Sequence, residues 1–265
     1  MSTTPKASPA PARPAATILL LRDRPAGIEV FMVVRHHEID FASGALVFPG
    51  GRVELEDYTI AAAHAGGVTP EDAALRVAAV RETYEECGVL LARPSGEANL
   101  IDAARLLALE PRRAALCRGE TSFAELLAAE DLYPALDQLV HFAHWITPAT
   151  QPKRFDTHFF LAAAPEDHLA VHDGAEAVDS AWIRPNDALA DAEASLRKVI
   201  FPTRMNLAKL ARSTTVEASL AAARCQAVVT VRPEFVRAVE GGRELRLPLA
   251  AGYGGELFIA REPKA

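Results

Sequence analysis

The sequence predicts an α/β fold, a layered domain of mixed strands and helices that carries a helical insertion. Three observations point there. Helix patterns stand before and after a mixed set of strand patterns. Half of the 265 residues are hydrophobic, enough for a substantial core. An Ala/Leu-rich stretch, 99–130, then interrupts the strands with helical composition.

The elements follow in order. The Pro/Ala/Ser-rich start reads as a disordered tail over residues 1–15. Ala16–Leu21 and Ile28–Arg35 read as strands joined by the turn "RDRPAG", and Ala45–Phe48 as a third. Residues 57–70, small and Gly-containing, read as a loop. The next stretch has full helix punctuation: Thr69 as N-cap, Pro70 in first position, acids after it, and Gly88 to close. In 99–130, Thr121 or Ser122 provides an internal cap. "LVHFAHWITPATQPKRFDTHFFLAA" reads as two strands around a Pro-rich connection, and Ala177–Ile183 as another. Asn186–Asp191, Pro202–Arg212 and 215–225 read as helices.

Composition narrows the function. The net charge is −7, the pI is about 5.7, and no Lys/Arg stretch is clustered, which argues against a nucleic-acid partner. A phosphorylated small molecule stays open, because a bound divalent cation reverses the local field. Cys87, Cys117 and Cys225 are far apart and form no CxxC pair, as expected in a reducing compartment. No apolar run approaches a membrane span, so a cytoplasmic protein without a membrane partner is expected.

The stretch "RVAAVRETYEECGV" (76–89) carries the chemistry. At 100° per residue Glu82, Glu85 and Glu86 share one narrow sector of a helix, opposite Val77, Val80, Tyr84 and Cys87. Carboxylates one turn apart repel. They form either a solvated acidic face or a site for a hard divalent cation, Mg²⁺ or Mn²⁺. Arg81 is placed to clamp one of them.

A Gly50–Gly51 pair after a strand, followed by Arg81-Glu82-x-x-Glu85-Glu86-x-Gly88-Val89 on a helix, resembles the Nudix hydrolase signature, G-x5-E-x7-R-E-U-x-E-E-x-G-U with U aliphatic. Thr83 departs from the first U. Counting from Gly51 puts Asp57 where the family has its first Glu, and residues 58–80 then separate Asp57 from Arg81 where the family has seven. The box is split. "FMVVRHHEIDFASGALVFPGG" resembles the segment before the box in coenzyme A diphosphatase relatives, with Arg35, Gly44 and Phe48–Gly51 in register and departures at His36 and Asp40. "WITPATQPKRFDTHFFLA" (145–162) resembles long Nudix proteins with split boxes.

The resemblance implies an α/β/α sandwich around a mixed sheet: a Nudix domain over 16–212 with a helical insertion at about 99–135, then a C-terminal helical extension over 213–265. It implies metal ligation by Glu85 and Glu86, with Glu82 as ligand or water-orienting base and the Gly50 carbonyl completing the shell. Arg81, Glu82 and Glu85 form the implied catalytic set. Arg35 and Asp57 are candidates for the substrate site. Residues 58–68 are expected to loop over or beside it.

Other signals are weaker. Lys153 and Arg154 are phosphate contacts or an ordinary charged turn. His141 and His144 would pair on a helix, but a regular strand sends them to opposite faces. Cys87 reads as core. Three functions fit: a Mg²⁺- or Mn²⁺-dependent hydrolase of a nucleoside diphosphate linked to another group, a non-catalytic nucleotide-binding sensor on the same fold, or an isoprenoid diphosphate isomerase. The intact glutamates favour the first. Coenzyme A or acyl-coenzyme A is one implied substrate, for which the helical insertion would supply an apolar wall and a basic patch for the 3′-phosphate is not evident in the sequence.

Overall fold

Strand β1 (Arg13–Arg24) organises the molecule, and its run of apolar residues is buried on both faces of a sheet. The computed structural model describes residues 10–35, 44–64, 67–168, 170 and 177–261. Residues 1–9 and the segment with His36 and Asp40 lie outside them. The main elements after β1 are β2 (Gly27–Arg35), β3 (Leu46–Val47), β4 (Gly50–Arg52), α1 (Leu55–His64), α2 (Pro70–Cys87) and β5 (Ala92–Pro94). The insertion supplies α3 (Ala103–Ala108), α4 (Glu110–Cys117), α5 (Phe123–Ala129) and β6 (Leu132–Pro134). Then come β7 (Val140–Ile146), β8 (Phe155–Ala163), β9 (Ala177–Ile183), α6 (Pro185–Glu193), α7 (Phe201–Leu210) and α8 (Val216–Cys225). The chain closes with β10 (Thr230–Val231), β11 (Glu234–Val239), β12 (Gly242–Arg246) and β13 (Leu257–Arg261).

The main sheet runs β10-β7-β8-β1-β2-β3, with β4 added to β1 and β9 to β2. Pairing of β1 with β8 and of β10 with β7 is parallel and the rest antiparallel, so the sheet is mixed. Midway along, β1 changes neighbour: Leu21–Arg24 pair with β2, whereas Ala15–Thr17 pair with β4. Ala16, Ile18 and Leu20 enter a core shared with α1, α2 and the insertion, while Leu19 and Leu21 enter a second core with α6, α7 and α8. This is the expected α/β/α sandwich.

Four expectations change. First, β1 begins at Arg13, so residues 13–15 belong to the domain rather than to a tail. Second, the expected loop at 57–70 is largely helix α1, with Ile60 and Ala61 buried against α2. Its small residues are mostly alanines, good helix formers, and packing on α2 decides their state. Third, beyond α8 the C-terminal extension is a three-stranded antiparallel sheet, β11-β12-β13, rather than helical. The Gly241–Gly242 hairpin signal between alternating residues was available in the sequence. The extension is also integral, since Leu247, Ala251 and Tyr253 are buried in the second core. The Trp145 indole donates to the Tyr253 hydroxyl at 2.7 Å, which donates to Asn206 at 2.8 Å.

Fourth, His141 and His144 share one face. The β7–β8 register shifts between His141 and Ala143, so His141 lies opposite Phe160 and His144 opposite His158. One extra residue in a strand reverses the alternation beyond it.

Candidate active site

The helix bearing the glutamates is fixed at both ends. At its start the Asp72 N–H donates to the Thr69 hydroxyl at 3.2 Å. At its end Gly88 adopts φ 70°, a left-handed conformation suited to glycine, and donates to the Tyr84 carbonyl at 2.9 Å. A further clamp comes from the insertion. Arg113 of α4 donates to the carbonyls of Tyr84 (2.8 Å) and Glu85 (3.0 Å), and the Tyr84 hydroxyl donates to the Leu109 carbonyl at 3.1 Å. The guanidinium thus meets the electronegative end of α2. Holding this helix is the observed contribution of α3–α5; none of their residues lines the cleft described below.

Arg81 is the centre of the constellation. Its Nε and Nη2 donate to the two oxygens of Asp57, each at 3.0 Å. Nη2 also reaches the Arg52 carbonyl at 3.0 Å, and Nη1 donates to Glu82 (2.9 Å) and Glu85 (3.1 Å). Its five N–H donors are therefore all used. At 3% exposure it is enclosed by these partners, and it clamps Glu82 and Glu85 as the sequence led one to expect. Asp57, a candidate for the substrate site, is instead fully buried on Arg81 and outside the cleft lining. From the first turn of α1, which packs on α2, it anchors Arg81 across the split in the box.

The two glycines are explained by the same packing. Gly50, at φ 152°, approaches Ala16 and Thr17 of β1 so closely that a Cβ would overlap them. Its N–H donates to Glu86 at 3.0 Å. A Cβ on Gly51 would collide with the Glu82 carboxylate. Glu82, Glu85 and Glu86 are thereby drawn together, with Glu54 near Glu85 and Arg81 as the shared cation. Burial pushes the Glu85 carboxyl up to about 8; Arg81 opposes this and Glu82 adds to it. Crowded hard-oxygen donors with too little positive charge are the chemistry a divalent cation neutralises, so the residues fit one.

Glu54, Glu82 and Glu85 line a cleft of about 1170 Å³ at the place where β1 changes neighbours, and Glu86 lies buried behind it against the Gly50 N–H. Besides Arg81, seven basic side chains share the same lining. Arg13, Arg35 and Arg52 come from β1, β2 and β4, Lys153 from the β7–β8 connection, Lys198 from the turn before α7, and Arg243 and Arg261 from the C-terminal sheet. The buried Nε of Arg35 has no partner among the described residues. Trp145, Phe159, Ile200 and Phe201 add apolar surface to that lining. The apolar wall expected from the insertion thus comes from β7, β8 and α7.

Arg35 is in the cleft as expected, but Arg154 is not. Arg154 donates to the carbonyls of Thr147 (3.1 Å) and Ala10 (2.6 Å), tying a turn to the N-terminal strand. Sequence reasoning missed Arg13, Arg52, Lys198, Arg243 and Arg261. They are scattered singly along the chain, so no local signal marks them.

An acidic helix packed behind a Gly–Gly strand, on an α/β/α sandwich, defines a Nudix-type architecture, and the chain belongs to the Nudix hydrolase family. Within that family it matches the NUDT19 Nudix domain over residues 58–203, more than half of the chain. The crystal structure of a NUDIX hydrolase from Alicyclobacillus acidocaldarius is similar, with a TM-score of 0.71 and 31% identity over 80% of this chain and 96% of that one. Acyl-coenzyme A diphosphatase NUDT19 of Homo sapiens is 37% identical over 130 residues, 46% of this chain and 35% of that protein. Its Xenopus laevis counterpart is 25% identical over 207 residues, 62% of this chain and 54% of that protein. The chain therefore spans about a third to a half of the length of these curated relatives. Among the described residues no helix is long and apolar enough to cross a membrane.

Proposed function

We propose that this protein is a divalent-cation-dependent hydrolase that opens the diphosphate of coenzyme A or acyl-coenzyme A, releasing 3′,5′-ADP and (acyl)phosphopantetheine. One observation carries the reading: a cluster of carboxylates and a set of dispersed cations line one cleft. The carboxylates suit a Mg²⁺ or Mn²⁺ ion, and the cations suit a ligand rich in phosphate. The names of the relatives support the choice of substrate.

Glu82, Glu85 and Glu86 would hold the cation, with Gly50 beside them. When bound, it neutralises diphosphate charge and makes water a better nucleophile. Arg81 keeps Glu82 and Glu85 in register for that role. Glu82 serves as a ligand or orients the attacking water. Arg35, Lys153 and Lys198 bind phosphate oxygens, and the C-terminal arginines offer positive charge for a 3′-phosphate. The apolar residues of the lining suit the pantetheine or acyl portion.

The test compares kcat/KM for coenzyme A, its 3′-dephospho form, ADP-ribose and NADH with Mg²⁺ and with Mn²⁺. Coenzyme A is expected to lead. A clear preference for ADP-ribose or NADH would reject the coenzyme A assignment, and no turnover of any of the four would reject the hydrolase.

A further inference from the structure

The bulge in β7 gathers a second constellation, on the α2 side of the sheet and separate from the glutamates. His144 and His158 stack with ring centroids 3.9 Å apart, and His141 stacks on the far side of His158 at 5.0 Å. Both Nε2 atoms turn toward one carboxylate. His144 Nε2 meets Asp156 Oδ1 directly, and His158 Nε2 is 3.8 Å from the same oxygen. One ligand atom each from His144, Asp156 and His158 fall within 4.8 Å of one another.

The outer nitrogens are held too. His144 Nδ1 is hydrogen-bonded to the Thr230 hydroxyl at 2.9 Å, and His158 Nδ1 to His141 Nε2 at 3.1 Å. A partner on the far nitrogen fixes the tautomer and aims the near one, as around metal-ligating imidazoles. A single structural ion pair would require one histidine and one aspartate. A second imidazole aimed at the same carboxylate, with its own orienting partner, exceeds that requirement.

We propose that His144, His158 and Asp156 form a second metal site, selective for a borderline transition ion of the Zn²⁺ class rather than Mg²⁺. Two imidazoles and one carboxylate are the donor set such ions favour, whereas Mg²⁺ prefers oxygen alone. The three side chains are 16% to 34% exposed, so an ion has access and a fourth position can hold water. The site would fasten β7 to β8. Thr230, which steers His144, belongs to the β10 strand of the C-terminal extension, so metal binding is coupled to seating of that extension.

The test titrates full-length protein with Zn²⁺ and Co²⁺ in excess Mg²⁺, reading stoichiometry by calorimetry and the visible Co²⁺ spectrum. Because the helix carboxylates are the cation site of the proposed function, a Glu82→Gln/Glu86→Gln protein is titrated in parallel. One equivalent is expected in both. It should be weakened more than about 100-fold in His144→Ala and His158→Ala, and about 10-fold in Thr230→Val, where only an orienting hydroxyl is lost. Zn²⁺ should raise Tm in the unaltered chain and in Glu82→Gln/Glu86→Gln, but not in the histidine variants. Matching circular dichroism without metal identifies variants that are folded, and Asp156→Asn replaces any histidine variant that is not. Zn²⁺ binding that disappears with the glutamates and survives in the His144 and His158 variants would overturn the proposal, as would no binding at all.

Discussion

The acidic and basic groups of the cleft are built in opposite ways. The acidic cluster comes from one helix within five consecutive residues, Glu82 to Glu86, aimed by Arg81 and by the clamps on α2. The basic groups come from separate strands, turns and the C-terminal sheet. A rigid helix suits groups that must hold fixed spacing toward reacting atoms, because errors of an ångström are costly there. Dispersed long side chains suit recognition of an extended ligand, where each contributes a modest, screened attraction. Changes to the acidic cluster should therefore alter kcat, and changes to the basic groups should alter KM.

The largest expected effect is from Glu86→Gln. It keeps the shape beside the Gly50 N–H and removes a charge, so kcat should fall by about 10³-fold or more in a folded protein. Near-normal kcat would remove the carboxylates from the chemistry.

Asp57→Asn follows. It leaves the buried Arg81 short of its anchor, and losing one partner of a buried pair costs about 3–5 kcal/mol. Denaturant unfolding should show that loss, and kcat should fall as Glu82 and Glu85 lose their alignment. An unchanged unfolding midpoint would contradict the anchoring role.

Arg35→Met retains most of the aliphatic stem and removes the guanidinium. About a tenfold rise in KM at nearly constant kcat is expected, equivalent to about 1.4 kcal/mol. A fall in kcat alone would move Arg35 to the catalytic set.

The smallest effect is expected from the exposed pair, Arg243→Ala with Arg261→Ala. KM for coenzyme A should rise about two- to fivefold at low salt, with the difference shrinking as salt screens it. The 3′-dephospho substrate should respond less. An equal response from both substrates would detach these arginines from the 3′-phosphate.

Legibility in the sequence followed the range of the interactions. Helix α2 was legible from Thr69 to Gly88 because caps and periodicity are local, and strand β9 because alternation within a few residues marks it. Helix α1 was obscured because alanines carry little pattern until α2 buries one face. The β11-β12-β13 sheet has a local hairpin signal at Gly241–Gly242, whereas the bulge in β7 has no signal that single-strand alternation could show.

The sequence by itself determined the layered fold, the helix with its three glutamates, the Gly50–Gly51 turn and the candidacy of Arg35. All of these rest on spacings within one element or on a motif whose residues are nearly contiguous. Only the tertiary structure decided that Asp57 anchors Arg81 from 24 residues away, that Arg154 serves a turn, and that cations from seven places share one cleft. It also decided that His141, His144 and His158 lie together. The physical reason is common to these cases: such contacts join residues distant along the chain, and their geometry exists only once the sheet and its two cores have closed.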